Sequence, residues 1–251
     1  MKTIPSILAL VTALSLTSLS AHAVTEMDAS TDGSETAYDG NIQSNDLLTD
    51  ATITTNGVAP DYGSSYTGLN DGLVSNGGGN APNNLFLNHS VTGTPALDES
   101  PVVTFTLDTS VATGSPLGYS LTSINSIYGW QNFASFSDQS YTVSYSTVAD
   151  PSAFTLLATV DYAPFDPSNG DTQSSQVTLT NLTGAVGVGT IQFAFTPYVS
   201  ETDGEQSGQM IREIDVDGTP TLASPEPSAW TLIGVGVLIL AWRLRRGQFS
   251  V

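Results

Sequence analysis

Apolar and polar residues alternate one for one along the middle of the chain, which permits few architectures. Val103, Phe105 and Leu107 share one strand face, with Thr104 and Thr106 on the other. Tyr141, Val143 and Tyr145 alternate with Thr142 and Ser144, Val177 and Leu179 with Thr178 and Thr180, and Ile191, Phe193 and Phe195 with Gln192 and Thr196. Ser120 to Tyr128 and Phe154 to Val160 are further candidate strands, and Ile214 with Val216 closes the series. Side chains on a strand project to opposite faces with a period of two, so each segment has one face to bury and one to leave in water. No 3.6-residue period is sustained outside the two chain ends. Antiparallel sheets with one buried face follow, most simply a β-sandwich over residues 51–220. The abundance of Gly, Ser, Thr, Asn and Asp suits short strands joined by tight turns. Residues 24–50 are weaker in pattern and read as a loose acidic arm ahead of a strand at Ala51–Thr55.

Charge narrows the partners. Lys2 lies near the start and Arg243, Arg245 and Arg246 near the end, leaving Arg212 as the one basic residue between them. Against it stand 23 of the 24 acids, a formal charge of −22 for the middle of the chain. Nothing there neutralises phosphates, which excludes nucleic acid and anionic membrane surfaces as partners. The acidity has two readings: solubility in a salty medium, and carboxylates converging on a divalent cation. With no cysteine, disulfide scaffolds, thiol catalysis and cysteine-bound zinc are excluded.

Both ends are greasy. Residues 1–23 have the three parts of a secretory signal: Lys2 and the amine, an apolar stretch from Ile4 to Leu19, and Ala21-His22-Ala23 for a signal peptidase. The mature chain is expected to start at Val24. Residues 221–251 carry Pro225-Glu226-Pro227, an apolar run from Ala229 to Trp242, and the arginines at 243, 245 and 246. As a helix that run reaches about 21 Å, short of the roughly 30 Å hydrocarbon core. The arginines would stay cytoplasmic, so the domain faces outward.

This terminus resembles the PEP-CTERM sorting signal of Gram-negative bacteria. The resemblance implies that Pro225, Glu226, Pro227 and the arginine cluster are read by an exosortase, that the hydrophobic helix contacts the membrane transiently, and that the protein serves an envelope or biofilm matrix rich in exopolysaccharide. Glu226 then belongs to the address label.

The order of features in the middle is similar to the galactose-binding-like jelly roll of discoidin domains and carbohydrate-binding modules. Asn70-Asp71-Gly72 matches its early turn, and Ile211-Arg212-Glu213-Ile214-Asp215-Val216-Asp217-Gly218 its last strand. The resemblance implies a structural calcium held by Asp71 and Glu213, with Asn70 in support. The competing reading is an exposed turn aspartate and a surface glutamate. Asp28-x-Ser30-x-Asp32-Gly33, with Asp39 at the twelfth place, echoes an EF-hand loop. It lacks flanking helices and is read as chance.

Signs of catalysis are sparse. His89 is the single histidine left after signal removal, so a multi-histidine metal site is impossible, and no nucleophile elbow is present. The Asn76–Asn80 glycine run lacks the lysine and helix of a phosphate cradle and reads as a loop. Arg212 is expected in a structural ion pair with a nearby Asp or Glu, with binding of a carboxylate ligand as the second reading. Trp130 with Tyr128 and Phe133 reads as core in preference to a sugar-stacking platform. The expected protein is therefore non-catalytic: an exported carbohydrate-binding-like module. Its alternatives are a purely structural matrix protein and, more remotely, a two-carboxylate glycosidase.

Overall fold

The computed structural model describes residues 23–34, 37–38, 42, 45–56, 65–74, 84–88, 100–110, 117–130, 134–164, 172–196 and 208–221. Its strands are β1 (Val24–Ser30), β2 (Thr52–Thr55), β3 (Leu85–Asn88), β4 (Val102–Thr106), β5 (Tyr119–Gly129), β6 (Gln139–Thr147), β7 (Thr155–Tyr162), β8 (Ser174–Thr180), β9 (Val188–Phe195) and β10 (Gly208–Pro220). Short 3₁₀ turns occupy Tyr66–Leu69 and Ala134–Ser137. All pairings are antiparallel. One layer runs β1-β8-β5-β10-β3 and the other β2-β4-β9-β6-β7. They join at one corner through Tyr119 and Val188, where the Tyr119 hydroxyl donates to the Asp108 carbonyl at 2.6 Å.

The alternation in the sequence becomes the core between these layers. Val103 and Phe105 of β4, Ile191, Phe193 and Phe195 of β9, and Tyr141 and Val143 of β6 supply one wall. Ile124 and Tyr128 of β5, Val177 and Leu179 of β8, and Ile211, Ile214 and Val216 of β10 supply the other. Phe105 meets Phe193 edge-on with ring centres 6.0 Å apart, and Tyr128 stacks on Tyr141 across the layers at 6.1 Å. One hydrogen-bonded set of polar groups enters this core. Ser126 Oγ meets Gln139 Oε1 and the Tyr141 hydroxyl, both at 2.7 Å, and Gln139 Nε2 donates to Ser175 Oγ at 2.8 Å. Such a set is tolerated in an apolar interior because its members satisfy one another.

One expectation needs correction. Residues 24–30 are no loose arm: β1 pairs with β8 along its whole length, from Val24 opposite Thr180 to Ser30 opposite Ser174. Thr25 to Ala29 are all exposed, so this edge strand is held chiefly by main-chain bonds. That explains why no apolar alternation marked it. Asp28 and Ser30 lie on this extended strand, consistent with reading the EF-hand echo as chance. Arg212 lies at an irregular point of β10. A bulge between Ile211 and Glu213 breaks the simple parity that would align Arg212 with Ile214. Its buried guanidinium donates from Nη2 to the Ser34 carbonyl at 2.6 Å. Asp32 beside it is held below the usual carboxylate range, mainly by hydrogen bonds from Ser34 and slightly by Arg212. Arg212 thus ties the turn after β1 to β10.

Phe193 is fully buried between the layers and touches three other aromatic rings. Phe193→Ala is expected to lower unfolding stability by about 3–5 kcal/mol, measured by urea denaturation. A loss below about 1 kcal/mol would mean that the two layers do not pack through this ring.

Candidate cation centre on the last strand

Glu213 and Asp215 are two residues apart on β10, so their side chains share a face, while Ile214 and Val216 enter the core from the other. Asp46 reaches this acidic face from far back in the sequence. The Leu47 N–H donates to the Val216 carbonyl at 2.9 Å. In return the Val216 N–H donates to Asp46 Oδ1 at 2.7 Å. Asp46 Oδ1 also accepts from the Leu48 N–H at 3.1 Å, and Leu48 is itself fully buried. Carboxylate oxygens of Asp46, Glu213 and Asp215 consequently lie within 4.8 Å of one another.

The surroundings are unusual for three acids. Glu213 and Asp215 are at most 1% exposed. Glu213 Oε1 accepts the Gly72 N–H at 3.2 Å, whereas Oε2 has no hydrogen-bond partner. Gly72 adopts φ +73°, a left-handed conformation open to glycine, and this sets its N–H toward the carboxylate. Asp215 Oδ2 accepts from Asn125 Nδ2 at 3.3 Å, and Asn125 Oδ1 is in turn held by Gln176 and Thr178. Burial pushes Glu213 up to about 10, reinforced by Asp215, Asp71 and Asp46 and opposed by the Gly72 N–H. Burial likewise pushes Asp46 up to about 6 against the hydrogen bonds of Val216, Leu48 and Thr49. Packed acids of this kind hold protons or a cation, since bare like charges in a dry site repel. The donor set is all hard oxygen, and Glu213 Oε2 is a buried acceptor still to be filled, so the residues fit a calcium-type ion.

The residues expected from sequence are distributed around this centre. Glu213 is in it. Asp71 stands outside the triple but near enough to raise Glu213. Its Oδ1 accepts the Leu73 N–H at 3.0 Å, and burial raises its own carboxyl. Asn70 is buried and donates from Nδ2 to the Leu48 carbonyl, clamping the 3₁₀ turn to the segment that carries Asp46. Sequence reasoning missed Asp46 and Asp215. Asp215 was legible in the acid–apolar alternation Glu213-Ile214-Asp215-Val216-Asp217. Asp46 was not, because only the fold carries it to β10. A cleft of about 440 Å³ opens alongside, lined by Thr49, Ala51, Ile53, Thr67, Asn70 and Asp71.

Tyr128 is fully buried, and Trp130 packs on Phe86 and Phe136 with ring centres 5.2 Å away, so both serve the interior. His89, the Asn76–Asn80 loop, Phe133, Ala21, the Pro225-Glu226-Pro227 motif and the terminal arginines lie outside the described residues. Among the described residues no helix is long and apolar enough to cross a membrane.

The two-layer sandwich is similar in fold to discoidin-type and carbohydrate-binding jelly rolls. The CpGH89CBM32-5 module of Clostridium perfringens, solved with GalNAc-β-1,3-galactose, is 12% identical over 68% of this chain and 98% of its own, with a TM-score of 0.42. A fucose-binding module of Streptococcus pneumoniae is 12% identical over 68% and 93%, TM-score 0.41. An F5/8 type C domain from Bacteroides fragilis is 11% identical over 69% and 93%, TM-score 0.41. No curated protein matches the chain. Residues 225–246 match the PEP-CTERM protein-sorting motif. The chain therefore carries the sorting label of exported proteins of the Gram-negative cell envelope.

A carboxyl that keeps its proton in the folded state, after the unfolded chain has released it, makes stability fall as pH climbs between the two values. For Asp46 that window runs from 3.8 to about 6, and for Glu213 from 4.5 to about 10. In chelator, the urea midpoint is expected to fall from pH 4 to pH 8. Glu213→Gln, which keeps the acceptor for Gly72, is expected to flatten the slope above pH 6 and to raise stability at pH 7 by about 1–3 kcal/mol. A variant slope parallel to the parent's would remove Glu213 from this account.

Proposed function

We propose that the protein is an exported, exosortase-sorted component of the cell envelope or extracellular matrix. On this reading its acidic sandwich is a non-catalytic, calcium-braced, carbohydrate-binding-like module. The observation that carries the module's part is the buried triple Asp46–Glu213–Asp215 with an unfilled Glu213 oxygen. A divalent ion there would pull together the early segment around Asp46, the Asp71 turn and the last strand. Residues from distant points of the chain would become one rigid wall. The adjoining cleft combines hydroxyls of Thr49 and Thr67, the Asn70 amide and the Asp71 carboxylate with the apolar Ala51 and Ile53. A mix of directional polar groups and apolar surface suits a polyhydroxylated ligand such as an exopolysaccharide segment. Export and sorting are supported by the motif at 225–246.

The test is melting of the protein in chelator and in calcium at pH 7. Calcium at about a hundredfold above its dissociation constant is expected to raise Tm by about 5–10 °C, and Glu213→Gln to abolish that rise. With calcium present the variant becomes the less stable protein, the reverse of its behaviour in chelator. Identical melting curves with and without calcium would eliminate the brace. Glycan-array binding by the calcium-loaded protein, lost on Asn70→Ala with Asp71→Ala, then separates a sugar-binding module from a purely structural one.

A further inference from the structure

Both connections of the domain to the chain ends leave from the same pole of the sandwich. Val24, the first residue of β1, pairs with Thr180 at the end of β8. The next row links Leu179 to Ile124, and Ile124 to Val216 of β10. Beyond Val216, β10 runs on to Pro220 at this same end, opposite Tyr119. Thr221 is fastened there: its N–H donates to the Gly118 carbonyl at 2.8 Å, and its Oγ1 accepts the Gly187 N–H at 3.3 Å. The secretory signal expected from the sequence ends at residue 23, directly before β1. The apolar run of the sorting tail begins at Ala229, at most about 28 Å of extended chain beyond Thr221.

That pole also concentrates the exposed apolar side chains. Among the described residues seven large hydrophobic side chains are exposed. Five of them belong to the turns and strand ends of this pole: Leu117 (43%), Val148 (37%), Phe154 (41%), Leu156 (62%) and Val186 (48%). Leu117, Val148, Phe154 and Val186 sit on three neighbouring connections, β4–β5, β6–β7 and β8–β9, and Leu156 is the second residue of β7. The Val148 N–H donates to the Gly187 carbonyl at 2.9 Å. Gly118, at φ +82°, lies so close to Val188 that a Cβ would stand 2.4 Å from its carbonyl oxygen. Scattered exposed hydrophobics are ordinary. Their gathering at the end that carries both membrane-directed segments is a different pattern, because interfacial binding scales with apolar area brought to the lipid. Asp50 and Asp150 are exposed at the same pole and Asp108 is half-buried, which repels anionic headgroups and leaves a zwitterionic surface as the match.

We propose that this pole is a membrane-facing surface, on which Leu117, Val148, Phe154, Leu156 and Val186 rest against a zwitterionic bilayer while the sorting tail is inserted. The inference rests on the reading of the tail as membrane-inserted. Five partly exposed side chains bind lipid weakly alone. The tail converts the contact into an intramolecular one, with an effective concentration in the millimolar range for a short linker. Docking would then fix the orientation of the domain, hold the Pro225-Glu226-Pro227 segment at the bilayer surface, and turn the opposite pole outward.

The chain has no cysteine, so single labels are simple to place. The full chain is reconstituted in phosphatidylcholine vesicles as Leu117→Cys, Val186→Cys or Thr55→Cys, the last an exposed site at the far pole. Each carries an environment-sensitive fluorophore, and a fraction of the lipid bears a headgroup quencher. Quenching at positions 117 and 186 is expected to exceed that at position 55 by at least about threefold. It should weaken when anionic lipid is added and vanish once the chain is cut before residue 225. If the chain does not float with the vesicles, the tail reading fails and docking with it. If it floats but the three positions are quenched equally, docking alone is overturned. Cross-linking between copies through position 117 at high dilution in lipid would assign the face to a second copy and overturn the bilayer as its occupant.

Discussion

Strand β10 must satisfy two opposite environments at once, and much of the molecule is arranged around that demand. Ile211, Ile214 and Val216 complete the apolar core, while Glu213 and Asp215 are carried on the reverse face into nearly complete burial. Moving a carboxylate out of water is costly unless hydrogen bonds, a proton or a counter-ion replace the lost hydration. The chain supplies the first of these piecemeal. The Gly72 N–H serves Glu213, the Asn125 amide serves Asp215, and the Val216 and Leu48 N–H groups serve Asp46. One acceptor of Glu213 is left over, and burial beside other acids raises that carboxyl's hold on a proton.

The same economy of backbone bonds holds the segments that lack a core of their own. β1 offers exposed side chains and is kept on β8 by main-chain bonds, with the Arg212–Ser34 contact closing its far end. The basic residue of this acidic domain holds, among its contacts, a carbonyl of the turn that follows β1. Asn70 does the corresponding work for the early turn through the Leu48 carbonyl. Buried donors aimed at backbone acceptors are thus the fasteners that bring three remote stretches, around residues 34, 46 and 71, to one strand.

The topology also gives the molecule two unlike ends. One receives the start of β1 and the end of β10 and displays most of the exposed apolar side chains. The ends of β3, β5, β7 and β9 and the starts of β4, β6, β8 and β10 lie at the other. An antiparallel sandwich imposes this division, since strands of opposite direction send their connections alternately to each pole. The first and last described residues of the domain, Ala23 and Thr221, therefore share a pole.

Period-two alternation was enough to determine an all-β, antiparallel sandwich, because a strand with one apolar face has to cover it against another sheet. The charge and cysteine counts excluded whole classes of partner and chemistry for equally local reasons. The sorting motif was legible because its three parts are contiguous in the chain. Glu213 stood out for its place in the last strand, and Asp215 shares that alternation. β1 escaped notice since its stabilisation lies in backbone bonds, which any side chain permits. The turn at Arg212 depends on a bulge that no residue type announces. The tertiary structure alone decided that Asp46 stands beside Glu213 and that Asp71 stands just outside the triple. Proximity between residues some 170 positions apart is set by how sheets stack and segments cross, and linear spacing carries no record of it.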